Sequence, residues 1–406
     1  VPLSLPRDAR LLFASRIVRL FAYGFVAVVL VLYLSAIGLT SARIGTLLTL
    51  TLAGDVAVSL YLTTRADLLG RKRTLLAGSL LMIAAAVVFA FTRDFTLLVL
   101  AATIGVISPS GNEVGPFLAV EQVALTQAAS DRDRTSLFAW YNLAGSFATA
   151  AGSLAGGLLA GALLHRGYGA AASYRSAIIA YALLGGVLAV VIASLSPAIE
   201  GQPRREHRVR SLFQVDRSRG IVARLSALFA VDSFAGGLVV QSIMAYWFYR
   251  RFGLAPATLG AIFFGANVFA GISALAAARI ARRFGLLNTM VFTHLPSNIL
   301  LILVPLMPTL PLAITVLLLR FSISQMDVPT RQAFVLAAVD PAERTAAAGV
   351  TGVARTLGAA LAPLIAMPLV ASSTHASLPF IVAGALKVGY DLALMWSCRG
   401  VALGES

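Results

Sequence analysis

Five carboxylates stand inside long apolar stretches of the chain: Asp55, Glu113, Asp232, Asp327 and Asp391. Three cations share that setting, Arg320, Arg355 and Lys387. An ionised side chain at the centre of a bilayer costs about 2.5–3.5 kcal/mol even on insertion scales, so such groups normally face a partner or a water-filled space. A carboxylate without a cation in that environment can load and release a proton near neutral pH. Five acids against three bases leave some of them without an obvious partner. Glu113 and Asp232 are the first candidates for a proton-carrying or cation-contacting acid, with Asp55 and Asp327 behind them. Asp327 stands one helical turn from Arg331 and two from Arg320, on one face. Lys387 and Asp391 are also one turn apart and are expected to neutralise each other as an i,i+4 pair.

Two segments combine polar residues with helix breakers. The first is Ser108-Pro109-Ser110-Gly111-Asn112-Glu113, and the second Ser322-Ile323-Ser324-Gln325-Met326-Asp327-Val328-Pro329. Proline and glycine remove or weaken rungs of the helix ladder and free backbone groups for a ligand. Interrupted helices at corresponding places of two halves are a pointer to a binding site in a membrane carrier. The expected lining is Tyr23, Ser110, Asn112, Glu113, Asp232, Gln241, Arg320, Ser324 and Gln325. No phosphate-binding loop and no nucleophile–base array is present, so neither ATP drive nor enzyme chemistry is expected. One cysteine, Cys398, and four scattered histidines give no metal-ligand spacing, so no metal and no cofactor is expected.

These residues need elements to hold them. Of 406 residues, 59% are hydrophobic and 12% charged, against roughly 25% charged in soluble domains. That balance excludes an ordinary soluble enzyme, a disordered chain and a coiled coil. A spanning helix takes about 20 mostly apolar residues. Candidate spans fall at 13–35, 44–64, 74–92, 95–120, 136–163 and 174–195, then at 224–249, 257–280, 288–306, 311–336, 345–371 and 378–398. The first run is a full-length span with no small-residue cleavage site behind it, so it is expected to remain as a helix.

The net charge of +15 would suggest a nucleic-acid partner in a soluble protein. Here the basic residues cluster between alternate spans, as at Arg7, Arg10, Arg16 and Arg19, at Arg71, Lys72 and Arg73, at Arg132 and Arg134, and along 204–224. By the positive-inside rule both termini are expected in the cytoplasm, and no nucleic acid is expected. The polar stretch around Pro203-Arg204-Arg205-Glu206-His207-Arg208 is expected to be a cytoplasmic linker.

The chain also repeats itself. Gly38-Leu39-Thr40-Ser41-Ala42-Arg43-Ile44-Gly45 recurs as Gly253-Leu254-Ala255-Pro256-Ala257-Thr258-Leu259-Gly260, and the same spacing pairs Gly70 with Gly285 and Thr74 with Thr289. The expected organisation is a six-helix bundle over 1–196, a linker over 197–222 and a second six-helix bundle over 223–406.

The loop Arg65-Ala66-Asp67-Leu68-Leu69-Gly70-Arg71-Lys72-Arg73 resembles the signature loop of the major facilitator superfamily, G-x-x-x-D-R-x-G-R-R/K. Asp67, Gly70, Arg71 and Lys72 match; Thr63 and Leu68 replace the first glycine and the first arginine. The resemblance implies an all-α membrane protein with 12 transmembrane helices in two pseudo-symmetric six-helix bundles. It implies a gating role for Asp67, Gly70, Arg71 and Lys72, and a cavity lined by spans one, four, seven and ten. Arg320 followed by Asp340-Pro341-Ala342-Glu343-Arg344 resembles a second family pattern. Gly152-Ser153-Leu154-Ala155-Gly156-Gly157 resembles the family's antiporter motif, with Ser153 in place of its proline. Arg355, on the eleventh span, is a gating candidate that could bridge to Asp55.

The function expected from residues and resemblance together is secondary active transport of a small organic solute by alternating access, as proton-coupled efflux from a monomer in the plasma or inner membrane. The alternative is uptake or exchange of an organic anion, with Arg320 and Arg355 as clamps. A sensor or lipid scramblase on a transporter body is the non-transporting alternative.

Overall fold

The computed structural model describes residues 5–128, 134–200 and 215–399. Among them every regular element is helical. The chain runs α1 (Arg7–Ala36), α2 (Ser41–Thr64), α3 (Ala66–Leu69), α4 (Arg71–Phe91), α5 (Phe95–Ile104), α6 (Phe117–Ala128), α7 (Arg134–His165) and α8 (Ala170–Ala193). It continues with α9 (Arg219–Gly237), α10 (Gln241–Phe252), α11 (Pro256–Phe284), α12 (Leu286–Leu303), α13 (Leu310–Phe321), α14 (Asp327–Ala337), α15 (Arg344–Ala371) and α16 (Leu378–Cys398). Short 3₁₀ turns cover Pro197–Glu200, Val304–Leu306 and Pro341–Glu343. Helices are what a lipid-facing backbone must form, because each pairs its own N–H and C=O groups. The residues around 203–208 and 131–133 lie outside the described part.

Ten stretches among the described residues are long and apolar enough to cross a membrane. Two further spans are interrupted. The fourth consists of α5 and α6 separated by non-helical backbone over 105–116, and the tenth of α13 and α14 separated by turns over 322–326. The first break falls on the Pro- and Gly-containing segment and the second just ahead of Pro329, which lies in the first turn of α14. The seventh span was expected as one helix over 224–249; it breaks between Gly237 and Gln241 instead. The expected linker end at 222 also shifts, since α9 already starts at Arg219.

The described chain forms two compact units, 1–205 with 240–267, and 206–239 with 268–406. The boundary differs from the expected one because 240–267 packs with the first unit. In the first unit α1 is the central post: Tyr23 through Leu34 are all buried, and its main neighbours are α7 and α8. Gly152 and Gly156 of α7 let the helix backbones touch. A Cβ at Gly152 would lie 2.0 Å from the Phe21 carbonyl oxygen, and one at Gly156 2.2 Å from that of Phe25. Close packing of α7 on α1 thus requires glycine at both of these positions. In the second unit α9 packs on α15 and α16, and α12 on α16. The pairings α1 with α7, α1 with α8 and α4 with α8 recur as α9 with α15, α9 with α16 and α12 with α16. This is the internal repeat expressed in packing.

Each unit closes one helix N-terminus with a distant carboxylate. Glu200 accepts from the backbone N–H groups of Arg71 (2.5 Å) and Lys72 (3.2 Å) at the start of α4. Glu343 accepts from the backbone N–H groups of Asp216, Arg217 and Ser218, each at 2.8 Å, just ahead of α9. The free amides and the positive end of a helix both favour an anion there. Those amides, that of Arg217 foremost, hold the Glu343 carboxyl down at about 2. Its pKa is depressed on folding, so its contribution is complete above the ordinary glutamate range and is lost as pH falls from about 4.5 towards about 2. In hydrogen exchange, Glu343→Gln should speed exchange of the Asp216, Arg217 and Ser218 amides at neutral pH. Wild-type protection of the same amides should fade over that acid window. Equal protection in the variant would refute the cap.

Candidate functional site

The first unit gathers its charges around α1. Arg16 and Arg19 stand one turn apart on that helix, both buried. Glu113, in the break of the fourth span, accepts from Arg16 Nη1 at 3.0 Å and from Arg19 Nε at 2.7 Å. Arg19 is fully buried and forks onto the equally buried Glu121 of α6, with Nη1 and Nη2 each 2.8 Å from a carboxylate oxygen. Ser15 donates to Glu121 at 2.5 Å, and the Tyr141 hydroxyl donates to its other oxygen. Arg16 also reaches Asn142 Oδ1 at 3.1 Å and lies over the Tyr141 ring. Two cations and two anions balance, and Glu121 accepts four hydrogen bonds. Such a set can be buried because both charge and hydrogen-bonding capacity are met inside it.

The break between α5 and α6 is also satisfied from outside. Tyr23 donates to the Val114 carbonyl at 3.0 Å, Tyr181 to that of Val106 at 2.8 Å, and the Ser242 amide to that of Pro109 at 3.1 Å. The Gly115 amide donates to Asp55 at 2.6 Å, and Ser59 donates to the same carboxylate at 3.1 Å. Asp55 therefore has hydrogen bonds and no cation among its contacts. Ser110 accepts from the Asn112 amide at 3.2 Å, while the Asn112 side chain is exposed. Gln241 is tied into a polar triad, donating to Ser153 at 3.1 Å and accepting from Asn267 at 3.0 Å.

The second unit carries a larger cluster. Asp232 of α9 accepts from Lys387 Nζ of α16 at 2.5 Å and from Arg331 Nη1 of α14 at 3.0 Å. The same Arg331 nitrogen lies 3.0 Å from Asp327. His294 of α12 places Nδ1 2.8 Å from Asp391 and Nε2 3.8 Å from Asp232. Asn298, one turn along α12, donates to the other Asp391 oxygen at 2.9 Å. The i,i+4 pair of Lys387 and Asp391 does not form. Lys387 reaches across to the more strongly shared Asp232, and Asp391 is taken by His294 and Asn298. Spacing along one helix put the two within reach, but each found a partner on a neighbouring helix.

Arg320 and Arg355 differ from these in having no ion pair among the described residues. Both are half-buried, and the Nε of each is buried without a hydrogen-bond partner, as are those of Arg16, Arg175 and Arg331. Arg320 lies over the Phe321 ring, 4.9 Å from its centroid. Both are within electrostatic reach of Asp232 and Asp327, without forming an ion pair to them. Ser324, in the turns that follow α13, also keeps a buried hydroxyl oxygen unpartnered. The backbone of Gln325 donates to Ser273 at 3.4 Å.

In the signature-like loop, Gly70 has φ 94°, a backbone geometry that favours glycine, and joins α3 to α4. Arg71 donates from its side chain to the Ile199 carbonyl at 3.1 Å, and Lys72 to that of Leu195 at 2.7 Å. These bonds fasten the loop to the end of the sixth span. Asp67 belongs to α3, and its side chain lies outside the described part.

Sequence reasoning placed Arg16 and Arg19 among the topology-setting basic residues, and it missed Glu121, His294 and Asn298. The signals were present: two arginines one turn apart inside the first span, a glutamate one residue past the expected end of the fourth, and a histidine one turn from an asparagine inside the ninth. Their partners are far away in sequence, which is why periodicity alone does not find them.

The model of the Major Facilitator Superfamily matches residues 12–363. An uncharacterized membrane protein of Saccharomyces cerevisiae is 31% identical, the match covering 97% of this chain and 95% of that protein. Among solved structures, the nucleoside transporter NupG aligns with a TM-score of 0.73 at 16% identity, covering 96% of this chain and 99% of that one. The xylose transporter XylE from E. coli gives 0.70 at 15% identity over 98% and 99%. The human organic anion transporter MFSD10 gives 0.63 at 15% identity over 96% and 99%.

The contrast between paired and unpaired arginines can be measured. Arg19→Gln strands Glu121 and Glu113 without their shared cation and should cost about 3–5 kcal/mol, read as a large loss of thermal stability in detergent. Arg320→Gln strands no anion and should leave the unfolding temperature unchanged or raise it. A similar loss in both variants would mean that Arg320 has a structural partner.

Proposed function

The chain belongs to the Major Facilitator Superfamily, and on that premise we propose that it is a secondary carrier of small organic anions that uses Arg320 and Arg355 to hold the anion. It is an integral, multi-pass membrane protein of a transporter family. The observation that carries the anion reading is that, among the described residues, these two guanidinium groups form no ion pair with a carboxylate, while Arg16, Arg19, Arg331 and Lys387 do. A desolvated guanidinium without a counter-charge is costly. A carboxylate or phosphate supplied by a substrate meets it with a planar, two-pronged contact. The unpartnered Ser324 hydroxyl, in the break of the span that carries Arg320, is a further unmet donor.

A cationic substrate fits less well. Glu113 and Asp232, the acids first expected to receive one, each already hold two cations. A cation would have to displace an arginine or lysine from an existing pair. Proton-driven efflux remains a second reading. One observation favours it: Asp55 contacts only a backbone amide and a serine hydroxyl, and so is free to exchange a proton. The distribution of arginines supports cytoplasmic termini, and gating at Gly70, Arg71 and Lys72 is consistent with a loop stapled to the end of the sixth span.

Purified protein in proteoliposomes should exchange labelled mono- and dicarboxylates or phosphate esters, and should ignore organic cations. Arg320→Gln and Arg355→Gln should each cut that exchange at least about tenfold, the loss expected from one charge-assisted hydrogen bond of about 1.5 kcal/mol. Flux of cations alone, or wild-type anion exchange in both variants, would refute the anion reading. If Asp55→Asn removes pH-gradient-driven accumulation while the arginine variants do not, the efflux reading takes its place.

A further inference from the structure

We propose that the segment 400–406, which follows α16, folds back over the second unit and sets the Glu405 carboxylate on the backbone amides of Leu286 and Leu287, with Leu403 in the apolar cleft beside them. The start of α4 in the first unit shows the form of such a contact. There Gly70, at φ 94° and ψ 133°, opens the helix, and Glu200 accepts from the next two amides. The carboxylate fills the space against the glycine: a Cβ at Gly70 would lie 3.1 Å and 3.2 Å from its two oxygens. Gly285 opens α12 with nearly the same backbone, φ 81° and ψ 163°. Among the described residues nothing lies within 4 Å of a Cβ placed there, and no side chain accepts from the Leu286 or Leu287 amide. The first amides of a helix have no partner within it and favour an anion.

Beside that end of α12 lies a cleft of about 340 Å³, walled by Leu286, Leu287, Phe292 and Phe334 and by Met395 and Cys398 of α16. Apolar walls next to free amides suit an occupant that has both a hydrophobic side chain and a carboxylate. The neighbouring sequence supplies no acid: there is none between Asp232 and Asp327, while Arg279, Arg282 and Arg283 stand near the end of α11. Glu405 is the sole acidic residue after Asp391. Its spacing matches that of Glu200. Glu200 stands seven residues past Ala193, the last of α8, and Glu405 seven past Cys398, the last of α16. Because α8 packs on α4 as α16 packs on α12, the two acids leave equivalent helix ends beside equivalent helix starts. Residues 400–406 lie outside the described part. Arg399 itself lines the cleft, and the six residues from it to Glu405 reach up to about 20 Å. In the first unit Ile199, just ahead of Glu200, is buried; Leu403, two residues ahead of Glu405, supplies the matching apolar anchor. The loop between α11 and α12 is then fastened to the end of the twelfth span, as the signature-like loop is to the end of the sixth.

Hydrogen exchange on the full chain in detergent tests the contact. In wild type the Leu286 and Leu287 amides should be protected as those of Arg71 and Lys72 are. Glu405→Gln should speed their exchange at least about tenfold, the loss expected from one charge-assisted hydrogen bond, and leave the rest of α12 unchanged. Glu200→Gln is the control and should act at Arg71 and Lys72 alone. Equal exchange of the Leu286 and Leu287 amides in wild type and Glu405→Gln overturns the proposal. If that shared protection disappears when bound lipid is stripped, a lipid headgroup holds the amides in place of Glu405. A second measurement follows Leu403. Cys398→Ser removes the sole cysteine; with Leu403→Cys and Phe292→Cys added, mild oxidation should join the two positions within one chain. A disulfide that links two chains would make a second copy the occupant, and no disulfide would place Leu403 outside the cleft. Either result overturns the docking.

Discussion

An ionised group inside a span must be matched, by charge and by hydrogen bonds, within a few ångströms. That requirement organises both units of this protein. In the first, two arginines one turn apart on α1 are matched by two glutamates of the fourth span, one in its break and one on α6. In the second, Asp232 is the hub on which Lys387, Arg331 and His294 converge from three other helices. Removing one member leaves a buried charge uncompensated, so these clusters act as locks on helix position as much as candidate chemistry. Against that background Arg320 and Arg355 stand out, because no described carboxylate forms an ion pair with them.

The interrupted spans follow from the same accounting applied to the backbone. Unwinding 105–116 exposes carbonyls and amides that lipid cannot satisfy. Tyr23, Tyr181, Asp55 and the amide of Ser242 take up that role. Several side chains that look like ligand-binding candidates are therefore committed to holding the break in shape. In the tenth span the arrangement is less complete: Ser324, within the break, keeps an unmet hydroxyl. The asymmetry between two otherwise repeated halves is the feature that directs attention to the second unit.

At the helix ends the problem is milder, and carboxylates solve it again. Glu200 and Glu343 each cap amides more than a hundred residues away, tying the signature-like loop and the start of α9 to other helices. The helix dipole and the free N–H groups make these sites attractive to any anion; here the chain supplies its own.

How much was legible in the sequence depends on the range of the interaction. Span count, the breaks at Pro109 and near Pro329, the repeat and the family resemblance were all readable, because composition, period and local breakers are properties of contiguous residues. Asp327 beside Arg331 was readable for the same reason. The hydrogen-bond partners of Glu113, Asp232, Lys387 and Asp391 were not: each lies 93 or more residues away along the chain, and one turn of proximity suggested the wrong pair for Lys387. The chain's residues alone determine that it is a multi-helix membrane protein with an excess of charge inside its spans. Only tertiary structure decides which of those charges are cancelled, because cancellation is a matter of distance in space and the helices that supply it are brought together by packing.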